Sequence, residues 1–320
     1  MRRRLTRKSK NKRKKQVIII STICLLLVMV SGYAAFQTNL SLTAKGNIKE
    51  KTRVIQAWNY TITDQDFHTD FYRENILTIT FLDNNNVPSN ATESWNVSED
   101  EENGGVMAWV IPSSNDNTKY DLYIGAKGGV IANVDSSAIF FNFKNCVSIN
   151  FNHNYDTSNT INMNYMFGGE SKFKTLDLSD FNTSNVTNMS YMFTSWSTLE
   201  GTWKNSELTN IIFGENFDTS KVTTMRDMFS GLNNIVSLDL STFDTSNVTS
   251  MFHMFWNSKK MEEINLCSFN TRKVTTMESM FAEMPALKIV KAGPNWTTSN
   301  ANTDRMFNLS GISSVTTGQC

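Results

Sequence analysis

Five pairs of methionines stand three residues apart in this 320-residue chain: Met163/Met166, Met189/Met192, Met225/Met228, Met251/Met254 and Met277/Met280. Thioether sulfurs at that spacing are soft donors able to hold copper(I). Each pair is followed at once by Phe, and four of the five have Val three residues ahead of the first Met. Such company accounts for the methionines without a metal, because Met fills irregular gaps in an apolar core. His68, His153 and His253 are scattered, and no His/Cys/Asp set has the spacing of a metal site. Neither a Gly-rich phosphate loop nor a nucleophile elbow is present. The sequence therefore predicts no catalytic residues, no metal and no cofactor.

The methionine pairs recur because the chain recurs. The stretch Phe243–Phe255, FDTSNVTSMFHMF, has close copies opening at Phe181, Phe217 and Phe269. A degraded copy opens at Tyr155, and a shortened one runs from Trp296 to Phe307. The opening aromatics are 26, 36, 26, 26 and 27 residues apart. A fixed period of that size signals stacked units. Within a unit, Leu238-Asp239-Leu240 alternates as a short strand does, and Leu176/Leu178, Ile211/Phe213 and Ile264/Leu266 fill the same slots. Asp244-Thr245-Ser246-Asn247 has side-chain oxygens that can bond nearby backbone and turn the chain. Val248, Met251, Met254 and Phe255 then share one face of a predicted short helix, with Thr249 or Ser246 as its N-cap. Burying about seven side chains at roughly 1.5–3 kcal/mol each does not offset ordering a whole unit at about 1.5 kcal/mol per residue. Neighbouring units must therefore pack together. The expected fold class is an α/β repeat solenoid of about six repeats, with a parallel sheet on one side and short helices on the other. A β-rich N-terminal cap and an N-terminal transmembrane or signal helix complete it.

The pattern LDLSxFDTSNVTxMxxMF resembles the BspA-like leucine-rich repeat surface proteins, built on the bacterial surface 26-residue repeat. The resemblance covers roughly Asn145 to Phe307. It implies a cell-surface location and a role in adhesion or protein binding, and it carries no catalytic residues with it.

If Leu238 and Leu240 point inward, Ser237, Asp239 and Ser241 point outward, together with Thr175/Asp177/Ser179 and Glu263/Asn265/Cys267. Asp177, Asp239, Glu263 and Asn265 are thus candidate contacts to a basic partner. A ten-residue insert around Thr194–Asn210 carries Trp196 and Trp203. They form either an aromatic binding loop or a pair of rings packed back on the repeats. Cys146 and Cys267 fall four strands apart, about 19 Å at the sheet spacing, beyond the roughly 7 Å reach of a disulfide. They are expected to be unbonded, and Cys320 to be a free thiol.

The chain divides in sequence into residues 1–36, 37–75, 76–144 and 145–320. Residues 2–15 hold ten Lys or Arg and no acid, and residues 17–36 are uncharged. That reads as a basic cytoplasmic head and a membrane-crossing anchor, or alternatively a cleaved signal peptide. Residues 37–75 read as a polar stalk or lead-in. Residues 76–144 read as a cap with strands at Ile76–Leu82, Val106–Ile111 and Tyr120–Ile124, which closes the exposed end of the array. Residues 145–320 are the repeats. Without its basic head the chain carries ten more acids than bases, which disfavours nucleic acid as a partner. The expected partner is a protein on a host or neighbouring cell, with self-association into an envelope structure as the alternative.

Overall fold

Alternating burial along Ile76–Leu82 makes that run a strand, β1. The computed structural model describes residues 52–58, 65–197, 201–318 and 320. These belong to the second of two compact units, Met1–Lys51 and Thr52–Cys320. After β1 come β2 (Glu93–Asn96), β3 (Val106–Pro112), β4 (Tyr120–Ala126), β5 (Val130–Ile131) and β6 (Ser148–Asn150). β2, β3 and β4 pair antiparallel, and β1 lies parallel between β4 and β6, giving the order β2-β3-β4-β1-β6. β7 (Tyr155–Asp156) pairs with β5.

The repeats supply β8 (Thr175–Leu178), β11 (Asn210–Phe213), β12 (Ser237–Asp239), β13 (Glu263–Leu266) and β14 (Ile289–Ala292). β9 (Trp196–Ser197) and β10 (Thr202–Trp203) form a small antiparallel hairpin in the insert, and β15 (Thr316–Thr317) follows β14. Leu176, Leu178, Leu238, Ile264 and Leu266 turn inward as the alternation predicts, while Asp177 and Asp239 turn outward.

The α/β solenoid expectation is overturned. The predicted helical side does not exist: among the described residues the only α-helix is α1 (Asp70–Asn75), with single 3-10 turns at Asp66–His68 and Glu101–Asn103. Each methionine pair instead closes a four-residue turn. Met254 N–H donates to the Met251 carbonyl at 3.2 Å, and the other four pairs make the same bond. The third residue of each turn, Tyr165, Tyr191, Asp227, His253 or Ser279, has φ between 52° and 60°. A left-handed residue there stops a helix. The decisive cause is where the amides go. Met251, His253 and Phe255 donate to the carbonyls of Thr276, Glu278 and Met280 in the next copy, each at 3.0 Å. A helix would need those same N–H groups for its own preceding turn. Thr249 caps nothing either: its amide and hydroxyl both donate to the Thr223 carbonyl of the copy before, at 2.8 and 3.1 Å.

Nor is there one continuous parallel sheet. The strand side is broken into β8-β11 and β12-β13-β14-β15, both separate from the sheet holding β6. Strands of three or four residues offer so few ladder bonds that a small offset ends the pairing. The copies are joined through their turns instead. Isolated parallel bridges run from Asp135 to Asn162, Asn188, Thr224, Ser250, Thr276 and Asn302. Buried threonines reinforce them: the hydroxyls of Thr157, Thr183, Thr219, Thr245 and Thr271 each donate to a backbone carbonyl of the following copy. The Asp-Thr-Ser-Asn stretch turns as its side chains suggest, with Asp244 Oδ1 accepting from Ser246 N–H at 2.8 Å.

All ten paired methionines are fully buried beside a row of stacked rings. Phe140, Phe167, Phe193, Phe229, Phe255, Phe281 and Phe307 follow one another at 5.3–5.9 Å, tilted by at most 12°. The segment read as a polar stalk or lead-in, residues 37–75, contributes to this core where it is described. Ile55, Trp58, Phe67 and Tyr72 are buried there, together with the polar His68 and Arg73. No helix among the described residues is long and apolar enough to cross a membrane. The anchor or signal reading of residues 17–36 lies outside the described residues.

Candidate functional site

The outward strand positions make one face. In register across it, Asp177 lies beside Ile212, and Asp239 lies beside Asn265, which lies beside Lys291. Asp177 and Asp239 are exposed, and neither has an ion-pair partner among the described residues. Each fixes its own turn: Asp177 Oδ1 accepts from Ser179 N–H and Asp239 Oδ1 from Ser241 N–H, both at 3.0 Å. Asn265 Oδ1 does the same with Cys267 N–H at 3.1 Å. One carboxylate oxygen of each aspartate is thereby held in place, while no hydrogen bond to the other is seen among the described residues. Glu263 stands in the neighbouring column, between Ser237 and Ile289, and its carboxylate meets Lys291 Nζ at 2.5 Å. The three acids singled out in the sequence thus share a face, but Glu263 is already neutralised. Ile212, the register neighbour of Asp177, is 40% exposed.

The insert lies against the turn side. Trp196 and Trp203 are cross-strand partners in the hairpin, with ring centroids 5.1 Å apart, and Trp203 lies 5.0 Å from Trp256. All three rings are half-buried. Gly231 makes room for them: a β-carbon there would fall 2.5 Å from the Trp203 ring. Trp256 was not singled out from the sequence. Its signal was available, because the same slot holds Gly168, Thr194, Ser230, Ala282 or Asn308 in the other copies.

Beside the tryptophans, the left-handed turn residues of successive copies meet. The Asp227 carboxylate is buried, 3.5 Å from His253 Nδ1 and 3.3 Å from Arg226 Nε. Arg226 also donates to the Tyr191 hydroxyl at 2.7 Å and lies 4.2 Å over the Phe252 ring. Burial, with the Asp227 carboxylate nearby, pushes the Tyr191 hydroxyl up. His253 is not the freely exposed residue that its variable slot suggests, since its side chain is 18% exposed and packs on Phe252 and Trp256. The group is saturated by its own contacts. Among the described residues, no three His, Cys, Asp or Glu side chains are placed to share a metal ion.

Cys146 and Cys267 are not bonded to each other, as the spacing predicts. Cys146 is buried and free, its thiol pushed up to about 12 by burial. The free-thiol expectation for Cys320 is overturned by a disulfide to Cys267, with Cα atoms 5.6 Å apart. The cause is the register of β15, whose Thr317 pairs with Ala292, itself paired with Leu266. Gly318, at φ +84°, then turns the chain. Gly293 allows the close approach, since a β-carbon there would come within 2.1 Å of the Cys267 carbonyl oxygen.

Two overlapping segments of the chain, residues 133–214 and 201–314, match the family model described as Mycoplasma protein of unknown function, DUF285. Together they span more than half of the sequence. No curated protein matches the chain, and no solved structure does.

Proposed function

The chain belongs to the DUF285 family, and on that premise we propose that it is a non-catalytic bacterial cell-surface protein of the BspA-like kind, which binds another protein through its strand-side face. The observation that carries this reading is the pair Asp177 and Asp239. Both are exposed and oriented by their own turns, neither has an ion-pair partner among the described residues, and Asp177 lies beside the exposed Ile212. Exposed acids, one of them beside an apolar side chain, suit a partner segment that carries basic residues next to an apolar one. The Cys267–Cys320 disulfide supports a location outside the cytoplasm, where such bonds form and persist. The basic head and uncharged stretch at residues 17–36 support the same location.

The test is capture of host matrix or neighbouring-cell proteins by the full chain, set against the Asp177→Asn/Asp239→Asn double variant. Both side chains are exposed, so the fold is expected to survive. Loss of capture, most pronounced at low salt, is the expected result. An unchanged set of captured proteins with unchanged affinity would remove the strand face from consideration. Light scattering of the same samples separates binding to others from self-association.

A further inference from the structure

Two gaps interrupt the strand side, one between β6 and β8 and one between β11 and β12, and a hollow opens at each. Where copies stay in register, the first outward strand residue donates its amide to the copy before. Asn210 donates to the Lys174 carbonyl at 3.0 Å, Glu263 to that of Val236 at 3.3 Å and Ile289 to that of Glu262 at 3.2 Å. Thr175 and Ser237 hold the same slot at the two gaps, and neither amide has an acceptor among the described residues. The first hollow is lined by Ile149 and Asn150 of β6 on one side, and by Asp177, Ser179 and Asp180 on the other. The second is lined by Asn210 and Ile211 on one side, and by Ser237, Leu238 and Asp239 on the other. Among the described residues no Lys or Arg lines either hollow. In the first, Asp180 is engaged by His153 Nδ1 at 2.7 Å. Asp177 there and Asp239 in the second hollow are the carboxylates that meet no cation among the described residues.

On the premise of the strand-face reading, we propose that these two gaps are its points of contact, each taking one arginine side chain of a single partner segment. A guanidinium has five donors in a fixed fork and no acceptor. It can meet the aspartate oxygen that the turn does not use and still serve the side-chain oxygen of Asn150 in one hollow or Asn210 in the other. An ammonium is a compact point charge with three donors and serves this mixed lining less well.

The spacing of the gaps restricts the partner's backbone. Bridges run from Asn188 to Thr224 to Ser250, so the copies that carry Asp177 and Asp239 are two steps apart. Two steps are about 10 Å at the sheet spacing. Residues i and i+2 of an extended strand share a side but stand only about 7 Å apart. Residues i and i+3 of a polyproline II segment share a side at about 9 Å. A partner of the form Arg-x-x-Arg in that conformation therefore spans both gaps. Its two middle residues pass the copy that exposes Ile212, which favours apolar ones.

The probe is a labelled peptide, Gly-Arg-Pro-Pro-Arg-Gly, titrated against the full chain by fluorescence anisotropy at low ionic strength. Saturable one-to-one binding is expected. Asp177→Asn and Asp239→Asn should each weaken it by roughly threefold, the scale of an exposed ion pair, and the double variant by about tenfold. The isomeric peptide Gly-Pro-Arg-Arg-Pro-Gly has the same charge but reaches one gap only, and should bind roughly threefold more weakly. Asn150→Tyr and Asn210→Tyr fill the hollows and leave every charge in place. Both positions are exposed, so the fold is expected to survive. Each should weaken the spaced peptide by roughly threefold as well. Equal binding of the two peptides, or indifference to both tyrosine variants, would overturn the proposal, because the attraction would then be one of charge alone. The same variants separate this proposal from the reading beneath it. Captured proteins released by the aspartate variants but not by the tyrosine variants would leave the strand face standing and remove the gaps. Capture indifferent to the aspartates would remove the strand face itself.

Discussion

Removing one ring from the middle of the phenylalanine stack should cost far more than removing the ring at its end. Phe255 is fully buried and lies between Phe229 at 5.7 Å and Phe281 at 5.5 Å. Truncating a buried Phe to Ala costs about 3–5 kcal/mol, lost transfer energy and residual cavity together. Aromatic pairing adds about 0.5–1.5 kcal/mol per neighbour beyond burial, and Phe255 loses two neighbours, so the upper part of that range applies. Its backbone amide is pinned to Met280 of the next copy, so the gap has little means to close. Among the described residues Phe307 has one ring neighbour, and it is half-exposed. Phe307→Ala gives up part of one side chain's burial and a single pair, about 1–2 kcal/mol. Phe255→Ala should therefore destabilise the protein at least about twice as much as Phe307→Ala. Urea unfolding of the full chain, followed by the fluorescence of the tryptophans around Trp256, measures both. Equal costs, or a larger cost at Phe307, would mean that the ring stack is not a continuous stabilising element, and the account of how the copies adhere would fail.

Three further outcomes follow from the buried polar groups and the disulfide. Thr245→Val keeps the shape but strands two partly buried backbone groups, since Thr245 Oγ1 both accepts from Asn270 N–H and donates to the Asn270 carbonyl. It should cost about 1–3 kcal/mol in the same urea assay, whereas Thr245→Ser should cost distinctly less. His68 is buried, and desolvation followed by the charge of Arg73 holds it well below its ordinary value of 6.5, against the opposing hydrogen bond to the Ile139 carbonyl. Folding therefore excludes a proton that the unfolded chain takes up below pH 6.5. Stability should be full above that pH and fall as pH drops toward the depressed folded value, and thermal unfolding of His68→Gln should lack that part of the acid dependence. Cys320→Ser opens a disulfide with a sequence separation of 53 residues. It should lower the unfolding free energy by about 2–4 kcal/mol and speed amide exchange in β15.

The repeat period, the buried Val, Met, Leu and Phe positions, and the outward placement of Asp177 and Asp239 could be read from residue order alone. They depend on which side chains avoid water, and that is written in the types and their spacing. Spacings of three, three and one between Val248, Met251, Met254 and Phe255 suit a helix face, but they suit equally a turn whose amides serve the next copy. Side-chain periodicity records which residues are buried and is blind to where backbone hydrogen bonds go. That choice belonged to the neighbouring copy, which supplies acceptors at Thr276, Glu278 and Met280.

The same division separates the candidate site residues. Asp177 and Asp239 keep their places because each is positioned by its own turn, a matter of two residues. Glu263 is neutralised by Lys291, which lies on the adjoining strand. Trp196 and Trp203 find Trp256 only because the insert folds back across copies. Cys267 and Cys320 meet because β15 comes to lie beside β14. Sequence fixed what each residue needs locally: burial, an oxygen near its own amide, freedom from a β-carbon. The fold decided every pairing between distant residues, because those depend on register between copies, and register is set by the sum of many contacts that no single copy contains.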